Sequence, residues 1–69
     1  MEVKFMISYK PLFHTMIEKD VTYEQLRKDK VVSAITITKF GKGESITLTT
    51  CEKLCNYLQC NIQDIVRFE

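Results

Sequence analysis

The stretch from Val21 to Gly43 leaves this chain the fewest choices. Thr22 stands three residues before Gln25, the spacing at which a hydroxyl caps a helix amide while the glutamine side chain reaches back to the cap's own N–H. Ser33 can cap a second helix that ends at Gly41 and Gly43, since glycine most readily leaves a helix through the left-handed region. Leu26, Val32, Ile37 and Phe40 are the apolar positions, placed to hold two short helices across one another around a tight turn. The polar remainder faces out.

Size narrows what such a unit can do. The 69 residues are expected to form one domain, 1–69. A chain of this length buries only about 60% of its unfolded surface, which leaves little room for a cleft and a catalytic constellation. No paired catalytic groups, Gly-rich phosphate loop, repeat or low-complexity tract is present, so neither an enzyme nor a cofactor is expected. With 45% hydrophobic and 28% charged residues the composition is that of an ordinary globule. There is no 18-residue apolar run, and Glu2 and Lys4 interrupt the one apolar stretch at the N-terminus. A cytoplasmic protein with no membrane partner is expected.

Formal charge is +1, modest beside the domain pI above about 9 that marks strong nucleic-acid binders. Its distribution says more. Arg27, Lys28, Lys30, Lys39 and Lys42 cluster with only Asp29 opposing them, which by itself describes either a solvated face or an electrostatic footprint.

The remaining segments read as a small helical core. Val3, Phe5 and Ile7 alternate with Glu2, Lys4 and Met6 in the period of a half-buried strand, and Val66-Arg67-Phe68 is its expected partner, within one chain or across a dimer. Tyr9 to Lys19 forms a first helix with Pro11 in its first turn and Leu12, Met16 and Phe13 turned inward. His14 is a helix residue without a catalytic partner. Thr47 or Thr49 caps a helix through Gln59, with Leu48, Cys51, Leu54, Cys55 and Leu58 at helical spacing. Asn61 caps one further turn, in which Asp64 complements exposed amides and Ile62, Ile65 and Val66 are buried, with Phe68 and Tyr57 as cover. Three cysteines, Cys51, Cys55 and Cys60, lack the spacing of a zinc site even with His14, so Cys51 and Cys55 read as core and no metal is expected.

Taken together, Val21-Thr22, Leu26, Val32-Ser33, Thr36-Ile37, Phe40 and Gly43 resemble the small Cro and lambda-repressor-type (XRE-like) helix-turn-helix regulators. That family runs Leu-Thr-x-x-x-Leu, a turn, Val-Ser-x-x-Thr-Ile-x-x-apolar, then a glycine. The likeness continues through Leu48, Leu54, Leu58 and Asn61 to Ile65, and so covers most of residues 9 to 66. It implies an all-α, five-helix lambda-repressor-like domain, with short terminal β-strands and a helix-turn-helix unit at about 22–40. It also decides an ambiguity. Propensity over Val31 to Leu48, with Ile35 and Ile37 alternating with Thr36 and Thr38 before Gly41 to Glu44, favours a hairpin; the resemblance and the Ser33 cap favour helix.

Two positions depart from the family pattern. Arg27 stands where a small residue, normally Ala, lets the helices approach, although a long side chain can swing its charge outward. Val31 stands at the turn position usually given to Gly. A β-branched residue at positive φ is an outlier, so Asp29 or Lys30 is expected to take the left-handed conformation, or the turn to be rebuilt.

The resemblance implies sequence-specific binding of double-stranded DNA by a small transcriptional regulator, with the helix 33–40 in the major groove. By resemblance Ala34, Ile35, Thr38 and Lys39 face base edges, whereas Thr22, Tyr23 and Lys42 hold phosphates. A homodimer is expected, because one short helix reads few base pairs and the terminal segments offer apolar edges. The alternative is a protein-interaction module of the same fold, antitoxin-like or partner-binding, without strong DNA affinity; the apolar pair Ala34-Ile35 and the modest pI suit it.

Overall fold

The computed structural model describes residues 5–69, so the expected alternation at Val3 lies outside the described residues. In chain order the elements are β1 (Ile7–Ser8), α1 (Lys10–Glu18), α2 (Tyr23–Lys28), α3 (Ala34–Lys42), α4 (Leu48–Leu58), a 3₁₀ turn (Ile62–Asp64) and β2 (Arg67–Phe68). The fold is predominantly helical, and residues 34–42 are helix, not hairpin. Four helices form among the described residues instead of five. The expected fifth is the 3₁₀ turn, which Val66 closes by donating its N–H to the Ile62 carbonyl.

Local chemistry sets where each helix begins. Gln25 N–H donates to Thr22 Oγ1 at 3.2 Å and Thr22 N–H donates to Gln25 Oε1 at 2.7 Å, a complete capping box. Ser33 Oγ accepts from Thr36 N–H, and Thr47 Oγ1 accepts from Thr50 N–H, each at 3.2 Å. Within α1, Pro11 occupies the first turn, where its missing N–H costs nothing.

The helix ends share one device. A residue in the left-handed region follows each helix: Asp20 (φ 55), Lys30 (φ 59), Gly43 (φ 69) and Gln59 (φ 53). The next residue then donates its N–H five residues back, Val21 to Met16, Val31 to Leu26, Glu44 to Lys39 and Cys60 to Cys55, the long bond of a Schellman closure. Lys30 therefore takes the conformation that Val31 cannot, and the turn between α2 and α3 keeps its geometry without glycine.

β1 and β2 pair antiparallel, Ile7 opposite Phe68 and Ser8 opposite Arg67, with Met6 and Glu69 exchanging both backbone bonds at 2.8 Å beyond them. The pairing lies within one chain. Thr15 Oγ1 donates to the Asp64 carbonyl at 2.8 Å, and Leu12 N–H to the Ile65 carbonyl at 3.2 Å, so the C-terminal turn is fastened to α1.

The core consists of Tyr9, Leu12, Met16, Leu26, Val32, Phe40, Leu54, Leu58 and Ile65. Several positions expected to face inward or to cover the core are exposed. Leu48 is 83% exposed because it is the first residue of α4, ahead of the turn whose Cys51 faces inward, and Ile62 points out from the 3₁₀ turn beside the buried Ile65. Phe13, expected inward, and Phe68 and Tyr57, expected as cover, are likewise exposed.

Candidate nucleic-acid interface

An aromatic ladder sets the pose of α3. Phe40 packs against Tyr9 (ring centroids 5.0 Å apart) and stacks on Tyr23 (5.9 Å), and Tyr23 meets Phe13 edge-on (6.1 Å). Rings from the start of α1, from α2 and from α3 are thereby locked together. The Tyr9 hydroxyl completes the clamp by donating to the Glu44 carbonyl just beyond α3. Behind this ladder the fully buried Leu26 and Val32 seat the turn.

What α3 then presents follows from its period. Phe40 is buried and Thr36 and Ile37 are half-buried, which leaves Ala34, Ile35, Thr38 and Lys42 on the outer face with Lys39 at its margin. Ala34, Thr38 and Lys42 form one ridge at four-residue spacing, and Ile35 and Lys39 the next. Ile35 is 71% exposed, and no packing demand of the fold explains a β-branched apolar side chain there. Thr38 Oγ1 donates to the Ala34 carbonyl at 3.1 Å, so its proton is taken and the residue offers outward a methyl group and an acceptor lone pair.

The residues expected to hold phosphate lie at the two ends of the unit. Thr22 and Tyr23 open α2, and Lys42 closes α3. Burial pushes the Tyr23 phenol above its ordinary pKa, so it remains a neutral hydrogen-bond donor. The Thr22 oxygen is engaged as a cap, and its backbone N–H by Gln25. Lys42 is exposed.

A second basic feature was not apparent in the sequence. Arg27, Lys30 and Lys53 line one surface groove together with Val31, Val32, Ser33, Thr36 and Thr50. Three cations and three hydroxyls meet there without a carboxylate in the lining. Arg27 swings outward into this groove, which is how a long side chain is accommodated where the helices come close. Lys53 comes from α4 and only folding brings it to the others. Among the described residues the ion pairs are Lys10–Glu69 and Arg67–Glu69, so the cations of α2, α3 and the groove carry no carboxylate partner there. On the far side of the groove the Tyr57 hydroxyl donates to Asp29 Oδ2 at 2.5 Å, which ties α4 to the end of α2 and raises the tyrosine's pKa.

A second groove is different in kind. Ile7, Ile46, Leu48, Ile62, Val66 and Phe68 line an apolar groove between the strands and the start of α4, and Phe5 lies against Phe68 beside it. Among the described residues no helix is long and apolar enough to cross a membrane, and no group of three or more His, Cys, Asp or Glu side chains is placed to hold a metal ion.

The family model for the Cro/C1-type HTH DNA-binding domain matches residues 12–69. In three dimensions the chain is similar to the crystal structure of transcriptional regulator VanUg, Form II, with a TM-score of 0.88 and 32% sequence identity over 99% of this chain and 91% of that one. No curated protein matches.

Proposed function

This chain belongs to the Cro/C1-type helix-turn-helix DNA-binding family, and from that premise we propose that residues 1–69 act as one domain that binds double-stranded DNA sequence-specifically, with α3 and its Ser33 cap in the major groove. The observation that carries the reading is the outer face of α3: Ala34, Ile35, Thr38 and Lys39 stand clear of the core on a helix held rigidly by Phe40. Their chemistry fits base edges. Lys39 donates to guanine O6 or N7 from a half-buried stem, and Ala34 and Ile35 touch thymine methyl groups. Thr38, with its proton committed to the helix, contacts a thymine methyl or accepts from an exocyclic amine. The favoured site is therefore rich in thymine.

Phosphates orient the domain without specifying sequence. Tyr23 and Lys42 hold them at the ends of the unit, Thr22 serves there by capping α2 with its hydroxyl and N–H both committed to Gln25, and the groove of Arg27, Lys30 and Lys53 takes a further one. A net charge of +1 is compatible with this because the cations are gathered on the α2–α3 side.

One copy reads few base pairs. Two copies related by a two-fold axis, with recognition helices about 34–36 Å apart along the duplex, supply the missing specificity. The surface that suits this pairing is the apolar groove with Leu48, Ile62 and Phe68, whose lining is largely apolar and includes no residue of α3. Sedimentation of the free protein and of its duplex complex is expected to show a dimer in the complex; a monomer in both would remove this part.

The test of binding itself is a salt titration. Duplex affinity should fall on a log–log plot with a slope of about −0.9 per phosphate neutralised. A flat response would favour the other reading, an interaction module that uses Ala34 and Ile35 against a protein.

A further inference from the structure

The four Schellman closures share a geometry and differ in the pair of side chains that each brings together. In this motif the residue three positions inside the helix and the residue two beyond its cap are made neighbours by a backbone bond. The pairs are Met16 with Val21, Leu26 with Val31, Lys39 with Glu44, and Cys55 with Cys60. Two pairs are apolar, and one sets opposite charges near each other without an ion pair. The fourth joins two thiols, both free and both only half-buried.

We infer that Cys55 and Cys60 form a dithiol site that takes a small-molecule disulfide of the glutathione class and is converted to an intrachain disulfide across the end of α4. The backbone already holds the partners: Cys60 N–H donates to the Cys55 carbonyl at 3.0 Å across the left-handed Gln59. One such bond keeps the two Cα atoms within the roughly 4.4–6.8 Å that a disulfide spans. Burial and the proximity of Cys55 and Asp64 push the Cys60 thiol up, with Lys19 opposing, so little thiolate is present at neutral pH and exchange is slow. Cys51 is a spectator, because it is buried in the core-facing turn of α4 and burial raises its thiol as well.

The chemistry balances without any further reagent. One protein thiol loses its proton to solvent and attacks a sulfur of the small disulfide, breaking that S–S bond and releasing one small thiolate. The second protein thiolate then attacks the mixed disulfide at the protein sulfur, forming the Cys55–Cys60 bond and releasing the other small thiolate. Two protein thiols are oxidised and one disulfide is reduced to two thiols. The new bond lies at the end of α4, remote from the outer face of α3, so it tightens the fold and leaves the DNA-facing side chains where they are.

The experiment is equilibration of the whole protein with oxidised and reduced glutathione, folded and in urea, followed by alkylation and mass analysis. The folded protein is expected to lose two hydrogens, retain one alkylatable thiol at Cys51, and favour the disulfide more strongly than the unfolded chain does. Cys51→Ser should form the same bond, and Cys55→Ser should stop at a stable glutathione adduct on Cys60. The oxidised form should melt at a higher temperature, and reductant should reverse the gain. Three alkylatable thiols after oxidation, a persistent glutathione adduct on the wild-type chain, a disulfide between two chains, or a folded-state preference no greater than that in urea would each overturn the inference.

Discussion

The α2–α3 unit and the terminal segments of this protein are stabilised by bonds of different range. Between Thr22 and Gly43 the defining contacts are local: a capping box, a serine cap, and two closures that each span five residues. At the termini they are distant in sequence, with Met6 bonded to Glu69, Thr15 to Asp64 and Leu12 to Ile65. The first region takes its caps and closures from a short stretch of chain, with only the rings of Tyr9 and Phe13 reaching in from outside to set the pose of α3. The second exists only once the chain has closed, and it leaves a sheet face and an apolar groove uncovered. On the proposed function the two regions divide the work, with α3 facing DNA and the apolar groove facing a second copy.

The largest expected effect breaks the first region and spares the second. Leu26→Ala empties a fully buried site beneath the turn and should lower stability by about 2–5 kcal/mol in a denaturant titration. If it were tolerated like a surface change, the unit would not be the organising element proposed here.

Next comes a pair of glycines that sharpens the contrast at the joint between the regions. Gly43 has φ +69, and a Cβ there would lie 3.2 Å from the Ile7 carbonyl oxygen of β1, so Gly43→Ala should cost about 1–2 kcal/mol. Gly41, two residues earlier, has open space around its Cα and lies inside α3. Gly41→Ala should therefore stabilise by up to about 1 kcal/mol, and thermal melts of the two variants should shift in opposite directions.

A third variant separates stability from binding within the unit. Lys30 occupies the left-handed position without the freedom of glycine, so Lys30→Gly should stabilise by up to about 1 kcal/mol. It also removes a cation from the groove with Arg27 and Lys53, so duplex affinity should fall and the salt slope flatten by about one phosphate.

The smallest effect on folding belongs to the terminal region. Phe68→Ala removes an exposed ring and should change the stability of the single chain by no more than about 0.5 kcal/mol, while weakening self-association measured by sedimentation. A large loss of monomer stability would show that this surface serves its own chain.

The same difference of range explains what was legible in the sequence. Thr22, Gln25, Ser33, Leu26 and Phe40 declared the unit because a cap and its amide, or two residues on one helix face, are neighbours in the chain. Propensity alone misread residues 31–48, where β-branched side chains suit a strand; the Ser33 cap and the core position of Phe40 override it. The left-handed residue was foreseeable up to one position, since Val31 could not take it. Leu48 and Ile62 were assigned inward by type, yet they sit at the first residues of their elements, where a shift of one position turns a side chain from core to solvent. Tyr9 and Lys53 gave no local signal. The first becomes part of the site only through Phe40 and Glu44, and the second only when α4 packs beside the turn.

The central claim, that the outer face of α3 reads duplex sequence, is tested most directly by measuring Lys39→Ala and Lys42→Ala against duplexes selected from a random pool and against scrambled controls. Lys39→Ala is expected to lose about 1–3 kcal/mol on the selected duplex and to relax preference at one base pair, whereas Lys42→Ala should weaken all duplexes nearly alike. Equal, sequence-independent losses from both substitutions, or a selection that returns no preferred sequence, would contradict it.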